Sequence, residues 1–119
     1  MLNVPGQVKI VLCLQPADMR RSFDGLAAMV EDILEDNPLS GHLFVFRNRR
    51  GDRVKLLYWS GDGLAIWYKR LEEGTFHFPG HQEGEASNGV SICATDLAML
   101  LDGVDLSSVR RAKRYRLPA

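Results

Sequence analysis

The residues best suited to chemistry in this sequence are the cations of a short block, RNRRGDRVK, at residues 47–55. The block holds five cations and one carboxylate. Arginine side chains present a planar fork of N–H donors that matches phosphate oxygens, and a two-stranded ribbon with a cationic tip can enter or straddle a nucleic-acid groove. The block therefore predicts phosphate binding. The alternative interpretation is a solvated hairpin without a ligand.

A second basic block lies at the end of the sequence. Residues 110–119 carry five cations and no carboxylate, whereas residues 71–109 carry seven carboxylates and no cation. Residues 47–70 and 110–119 together hold twelve of the fifteen cations, so charge is segregated along a chain whose formal net charge is zero. A uniformly solvated surface would intersperse the two signs. The basic blocks are therefore candidate binding regions for a polyanion.

Residues that could catalyse a reaction or bind a metal are poorly arranged. His77 and His81 have the spacing of two ligands on a helix, but Pro79 and Gly80 prevent a helix there. The sequence contains no GxSxG, GxxxxGK[ST] or GxGxxG motif, and its two cysteines form neither a metal half-site nor a disulfide framework. The carboxylates that could pair for two-metal phosphoryl transfer each fit a turn or a first helical turn instead: Asp18, Asp24, Asp52 and Asp62. We therefore predict a protein that is not an enzyme and has no cofactor or metal.

The elements that must position the first basic block are a strand, a helix and a meander. Residues 8–14 have the composition of a buried strand. Apolar residues at steps of three and four from Phe23 onward predict an amphipathic helix of about fourteen residues, with Ser22 as its N-cap. The segments HLFVF, RVKLLYW and LAIWYKR predict an antiparallel meander joined by the turns RNRRGD and SGDG.

The second turn of the meander fixes its register. If Gly61 and Asp62 are the central residues of a two-residue turn, Trp59 lies opposite Leu64. Because successive side chains of a strand point to opposite faces, one face then gathers a polar cluster at its hairpin end. The predicted cluster comprises Arg47, Arg53, Lys55, Tyr68 and Arg70, with Arg49 and Arg50 on the adjacent tip.

The remaining segments complete the predicted fold. Residues 75–78 could add an edge strand, residues 80–89 form a polar loop that we expect to be mobile, and a short strand leads to a second helix. Thr95 is the expected cap of this helix, and Gly103 is its expected stop. The prediction is an α+β fold with a single, mostly antiparallel β-sheet of about five strands and two helices packed on one face.

The predicted domain organisation is one domain over residues 1–109 and a basic C-terminal tail over residues 110–119. The length suits one compact domain with its own core. No segment resembles a targeting signal or could span a bilayer, which predicts a cytoplasmic protein without a membrane partner.

Motifs over most of the chain carry a family resemblance. DMRRSFDGLAAMV (residues 18–30), GHLFVFRNRRGDRVKLLYW (41–59) and YKRLEEGTFHFP (68–79), in this order and spacing, resemble the second-reading-frame accessory protein of insertion-sequence-66 (IS66) type bacterial transposons, often called TnpB. LAMLLDGVDL (97–106) is similar to the closing helix of that family. Ser60 departs from the pattern, because the family usually has an acid at this position.

The resemblance implies a small, non-catalytic protein that is needed for efficient transposition and is encoded beside a separate transposase carrying the catalytic carboxylates. The resemblance implies the IS66-type transposase and other element-encoded proteins as partners, and together with the cation clusters it leads to the hypothesis that the protein binds DNA at the transposon ends. A DNA-binding role would use the cations of both basic blocks and an adjacent aromatic side chain: Arg47, Arg49, Arg50, Arg53, Lys55, Tyr68, Arg70, Arg110, Arg111, Lys113, Arg114 and Arg116. The alternative is a protein-binding adaptor that docks on the transposase without contacting DNA.

Overall fold

A five-stranded sheet organises the part of the chain that the computed structural model describes, residues 7–79 and 88–104. The elements follow in the order β1 (Ile10–Cys13), α1 (Phe23–Asp32), β2 (Leu43–Arg47), β3 (Arg53–Trp59), β4 (Leu64–Arg70), β5 (Gly89–Ile92) and α2 (Ala94–Leu101). Across the sheet the strands lie in the order β4-β3-β2-β1-β5. The predicted α+β class, with one mostly antiparallel sheet and two helices, is confirmed.

One pair of neighbouring strands, β1 and β2, is parallel. A parallel pair requires a crossover connection, because a tight hairpin reverses the chain direction, and α1 supplies that crossover. The carboxyl ends of both strands consequently lie at the same edge of the sheet. The loop after β1 therefore meets the hairpin after β2, and the Ala17 N–H donates to the Arg47 carbonyl at 2.9 Å.

The predicted register of the second hairpin of the meander, β3–β4, is confirmed. Trp59 lies opposite Leu64, and Lys55 lies opposite Tyr68. The Ser60 N–H donates to the Gly63 carbonyl at 2.9 Å and closes the turn between β3 and β4. Alternation then sorts the side chains of β3 between the two faces of the sheet.

The prediction that both helices pack on one face is wrong, because each face of the sheet has its own helix and its own core. The α2 face buries Ile10, Leu12, Leu43, Val45, Val54, Leu56, Phe76, Leu97, Leu100 and Leu101. The α1 face buries Cys13, Ala17, Leu26, Met29, Val30, Phe44, Phe46 and Leu57. The strands β1, β2 and β3 contribute to both cores, so a helix must cover each face to remove these side chains from water.

The helix ends differ from the predictions in detail. α1 has ten residues and begins after Ser22, whose side chain makes no capping hydrogen bond. α2 begins at Ala94 with the exposed Cys93 as its N-cap residue, so the prediction of Thr95 was wrong. Gly103 ends α2 as predicted, with a φ of 82° and a 3.0 Å bond from its N–H to the Leu100 carbonyl.

Residues 75–78 do not form the predicted edge strand. The Phe76 N–H donates to the Gly51 carbonyl at 2.7 Å, and the Phe76 ring is buried on the α2 face. This segment therefore crosses back to the β2–β3 hairpin instead of extending along β4. In the predicted loop at 80–89, Gly89 already belongs to β5, and residues 80–87 lie outside the described part of the chain.

Candidate nucleic-acid interface

The loop after β1, one face of α1 and the β2–β3 hairpin enclose a cleft of about 710 Å³. Its lining residues lie within three segments, residues 15–21, 28–33 and 48–53. These include parts of two of the motifs that carry the family resemblance. The segments meet because β1 and β2 are parallel, and ligands of open sheets commonly bind outside the carboxyl ends of parallel strands. The cleft and its rim are therefore the candidate site.

Asn48 builds the hairpin that carries the first basic block. Its Oδ1 accepts hydrogen bonds from the N–H groups of Gly51 at 2.9 Å and Arg53 at 3.0 Å. Gly51 has a φ of 81°, a left-handed conformation that glycine adopts without a Cβ clash. The tip of this braced turn presents two exposed arginines, Arg49 and Arg50.

The opposite wall of the cleft begins with a turn at Asp18. Asp18 Oδ1 accepts from the Arg20 N–H at 2.8 Å, and the Arg20 guanidinium donates to both carboxylate oxygens at 2.7 to 3.1 Å. The side-chain bonds from Arg20 are the main reason why the pKa of Asp18 falls to about 2. The loop therefore presents an ion pair to solvent beside Arg21, which lines the cleft.

Lys55 fastens this loop to the sheet. Its side chain is buried, and its ammonium donates to the carbonyls of Met19 and Arg21, both at 2.8 Å. The same Nζ lies over the Tyr68 ring, 4.7 Å from the centroid. A buried ammonium requires such partners because its desolvation is otherwise costly. Lys55 thus lies where the register placed it, but we assign it a structural role because its ammonium is buried and two of its three donors bind backbone carbonyls.

Tyr68 and two arginines form the exposed end of the α1 face. Arg53 and Arg70 are cross-strand partners, and the Arg53 guanidinium donates to the Tyr68 hydroxyl at 3.2 Å. Arg70 forms an exposed ion pair with Glu72 at 3.1 Å. Such exposed pairs contribute little to stability, so another anion can readily replace the carboxylate as the partner of Arg70. We refer to Arg49, Arg50, Arg53 and Arg70 together as the arginine rim.

The prediction that Arg47 joins this cluster is wrong. Arg47 lies opposite Val54, so its side chain points to the α2 face. There its guanidinium donates to the Phe76 carbonyl at 2.8 Å and lies 4.3 Å from the centroid of the Phe78 ring. Burial lowers the pKa of Arg47. Arg47 therefore anchors the segment after β4 and does not face the cleft.

The other predicted binding residues belong to the basic tail. Arg110, Arg111, Lys113, Arg114 and Arg116 lie outside the described residues.

The charges around the cleft are mixed. Its charged lining comprises four arginines and three aspartates: Arg21, Arg49, Arg50, Arg53, Asp18, Asp32 and Asp52. The hairpin wall supplies most of the cations, whereas the loop and α1 supply Asp18 and Asp32. A 2.8 Å hydrogen bond from Asn48 is the main reason why the pKa of Asp52 lies below its ordinary value. The hairpin wall of the cleft is consequently more cationic than the wall formed by the loop after β1 and α1.

The contribution of the loop after β1 was not predicted from the sequence. Arg20, Arg21 and Asn48 were not among the candidate residues, although the first two belong to a motif that carries the family resemblance. The order strand, helix, strand was the available signal, because a crossover helix predicts a parallel pair whose following loops share one edge of the sheet.

No three His, Cys, Asp or Glu side chains in residues 7–79 and 88–104 come together as a possible metal site. Within the same part of the chain, every helix is too short or too polar to cross a membrane.

Comparison with known proteins identifies the family. Residues 8–111 match the family described as IS66 Orf2 like protein. The chain is 36% identical over 111 residues to the "Uncharacterized protein y4jC" of Sinorhizobium fredii (strain NBRC 101917 / NGR234), covering 93% of this chain and 92% of that protein. It is also 36% identical over 105 residues to the "Uncharacterized protein y4hO" of the same strain, covering 88% of each chain. No solved structure gives a significant match. The chain belongs to the IS66 Orf2-like family, whose members are accessory proteins of transposition.

Proposed function

We propose that this protein is a non-catalytic transposition factor that binds DNA through the phosphate backbone, using the arginine rim. The observation that carries this proposal is the hairpin tip. Arg49 and Arg50 are exposed, and within the described part of the chain no carboxylate lies close enough to form an ion pair with either. Asn48 holds the turn that projects them. A braced turn with free guanidinium groups suits phosphate oxygens.

The rim alone would supply a small number of phosphate contacts. In this proposal the basic tail at residues 110–119 contacts an adjacent stretch of the same DNA backbone. Such contacts position a protein on DNA without specifying sequence, so recognition of the transposon ends would lie mainly in the IS66-type transposase. The protein would act in the cytoplasm, where both partners meet.

A salt series with a labelled transposon-end duplex and a scrambled duplex tests this proposal. With about five phosphates neutralised, log K should fall against log salt with a slope of roughly four to five. Replacing both Arg49→Ala and Arg50→Ala should reduce that slope by about two, because each lost phosphate contact removes about 0.9.

Lys9→Ala is the matched control, because Lys9 is an exposed cation next to the amino end of β1, at the opposite end of that strand from the hairpin. The control should leave the slope unchanged. A slope near zero for the unaltered protein would refute DNA binding. A reduction of the slope in the control of about half that in the double variant would show that overall charge, and not the rim, determines affinity, because the control removes one cation and the double variant two.

A protein-binding adaptor is the second candidate, and the mixed charge of the cleft favours it. Asp18 and Asp32 on one wall face arginines on the other, an arrangement that suits a protein surface carrying both signs better than a polyanion. The acidic stretch over residues 72–105 could also steer a basic partner. In this role the protein docks on the transposase. Co-migration of the two purified proteins at low salt is the expected result, and separate migration would contradict it.

A further inference from the structure

We propose that Tyr68 is a stacking platform for an unpaired base, so that the DNA bound by this protein includes a single-stranded segment. This inference rests on the proposed DNA-binding function and specifies its substrate. Tyr68 is one of three large hydrophobic side chains of the described residues that are exposed, with 47% of its surface accessible. An exposed aromatic ring on a strand offers a flat surface on which a base can stack.

The Tyr68 ring has one contact on a face and one at its hydroxyl group. Lys55 Nζ lies over one face of the ring at 4.7 Å from the centroid, and two carbonyl groups hold that ammonium at 2.8 Å. At the edge of the ring, the Arg53 guanidinium donates to the hydroxyl at 3.2 Å. Because one face rests on a buried ammonium, the exposed surface belongs to the other face. The ring is therefore fixed in one orientation before any ligand binds, which reduces the entropy cost of stacking.

The cations around the ring suit the backbone of the same strand. Arg53 and Arg70 are cross-strand partners on the face that carries Tyr68. Arg53 also lines the cleft, so it connects the platform to the hairpin tip. A strand that crosses the rim could place phosphates against these guanidinium groups and a base on the ring between them. Grooves that bind single strands combine cations and aromatic rings in this way.

A base in a duplex cannot use this platform in the same way. Paired bases inside a duplex stack on their own neighbours and expose only their edges in the grooves, and only a terminal pair exposes a face. A ring with Lys55 over one face has only the other face to offer, and insertion between two bases would require unstacking a base step, which is energetically costly. The platform therefore discriminates between unpaired and paired DNA, whereas the rim arginines contact the phosphates of both.

Affinity measurements on Tyr68 variants test the inference. Tyr68→Leu keeps an apolar cover over Lys55 but removes the aromatic face, and Tyr68→Phe keeps the face but loses the bond to Arg53. Tyr68→Leu should weaken binding of a single-stranded oligonucleotide about tenfold and leave duplex binding within about twofold. Tyr68→Phe should retain most of the single-strand affinity. Thermal unfolding of each variant should first establish that it is folded.

Photo-cross-linking gives a readout that a merely structural role of Tyr68 would not change. A single-stranded oligonucleotide carrying 5-iododeoxyuridine should cross-link to Tyr68, located by mass spectrometry, and the cross-link should disappear in Tyr68→Leu. Equal effects of Tyr68→Leu on single-stranded and duplex DNA would overturn the stacking role.

The double arginine variant separates the two proposals. If it weakens both forms of DNA while Tyr68→Leu changes neither, the rim binds DNA and the platform does not. If the unaltered protein binds neither form at low salt, the proposed function itself fails.

Discussion

The two faces of the sheet use the cations of the strands differently. On the α2 face, Arg47 donates to the Phe76 carbonyl and Lys69 donates to the Leu101 carbonyl at 2.8 Å. On the α1 face, Lys55 donates to two backbone carbonyls, but Arg53 and Arg70 remain at the surface. The strand cations of the α2 face therefore bind backbone carbonyls, whereas two strand arginines of the α1 face contact only side chains at the surface.

This difference shows that a basic block is a poor guide to a binding surface until its register is known. Arg47 and Lys55 belong to the same nine-residue block as Arg49 and Arg50. The first two make intramolecular contacts that fix loops, and the other two are exposed at the turn. Substitutions that compare the two faces test this division of roles.

The largest effect is expected from the two cores. Leu56 and Leu57 are consecutive residues of β3, both fully buried, with Leu56 on the α2 face and Leu57 on the α1 face. Each change to alanine removes buried methyl groups and leaves a cavity, which should lower the free energy of unfolding by about 2–5 kcal/mol. Urea denaturation measures both values. A cost below about 1 kcal/mol for Leu57→Ala would show that the α1 face is not a true core.

Replacing Lys55 or Lys69 should lower stability by less, and the two changes distinguish effects on stability from effects on DNA binding. Lys55→Met and Lys69→Met each leave a part-buried carbonyl without its donor, which should cost about 1 kcal/mol of stability or somewhat more. Lys55→Met should cost more, because it leaves the carbonyls of both Met19 and Arg21 without that donor. It should also weaken DNA binding, since the bonds from Lys55 to the loop after β1 and its contact with the Tyr68 ring are lost.

Lys69→Met controls for the lost charge and for the reduced stability, because Lys69 contacts α2 on the other face. Denaturation and the salt series on both variants provide the measurements. Equal loss of DNA affinity in the two lysine variants would contradict the assignment of the binding surface to the α1 face.

The smallest effect on stability is expected from the ion pair between Asp18 and Arg20, in the loop after β1. The pKa of Asp18 should be about 2 in the folded protein, and Arg20→Ala should return it towards its ordinary value of 3.8. Because the pKa is lowered by folding, the contribution of this carboxylate to stability is complete above pH 4 and is lost as the pH falls through about 2. A carbon-detected NMR titration follows the carboxyl directly. The same value in both proteins would exclude Arg20 as the cause.

Much of the meander was predictable from the sequence. The turn at residues 60–63 fixes the pairing of β3 with β4, and strand alternation then places Lys55, Tyr68 and Arg70 on one face. The amphipathic helix α1 was predictable from its apolar spacing. These features depend on contacts between residues that are close in sequence.

Two of the errors concern contacts between distant residues, and one concerns a turn. Helical periodicity identifies the apolar side of a helix but does not say which face of a sheet it covers, so the placement of both helices on one face failed. Arg47 was misplaced because the register through the β2–β3 hairpin depends on the braced turn at Asn48. The inward direction of the Lys55 ammonium depends on the Met19 and Arg21 carbonyls, more than thirty residues away along the chain.

The position of β1 in the sheet determines whether β1 and β5 can unfold separately. β1 lies inside the sheet, between β2 and β5, although it is the first strand of the chain. Loss of β1 would remove the strand neighbour of β5 and uncover α2-face side chains at the same time. β1 and β5 therefore belong to one cooperative unit, and neither strand can detach by itself without exposing side chains of the α2-face core.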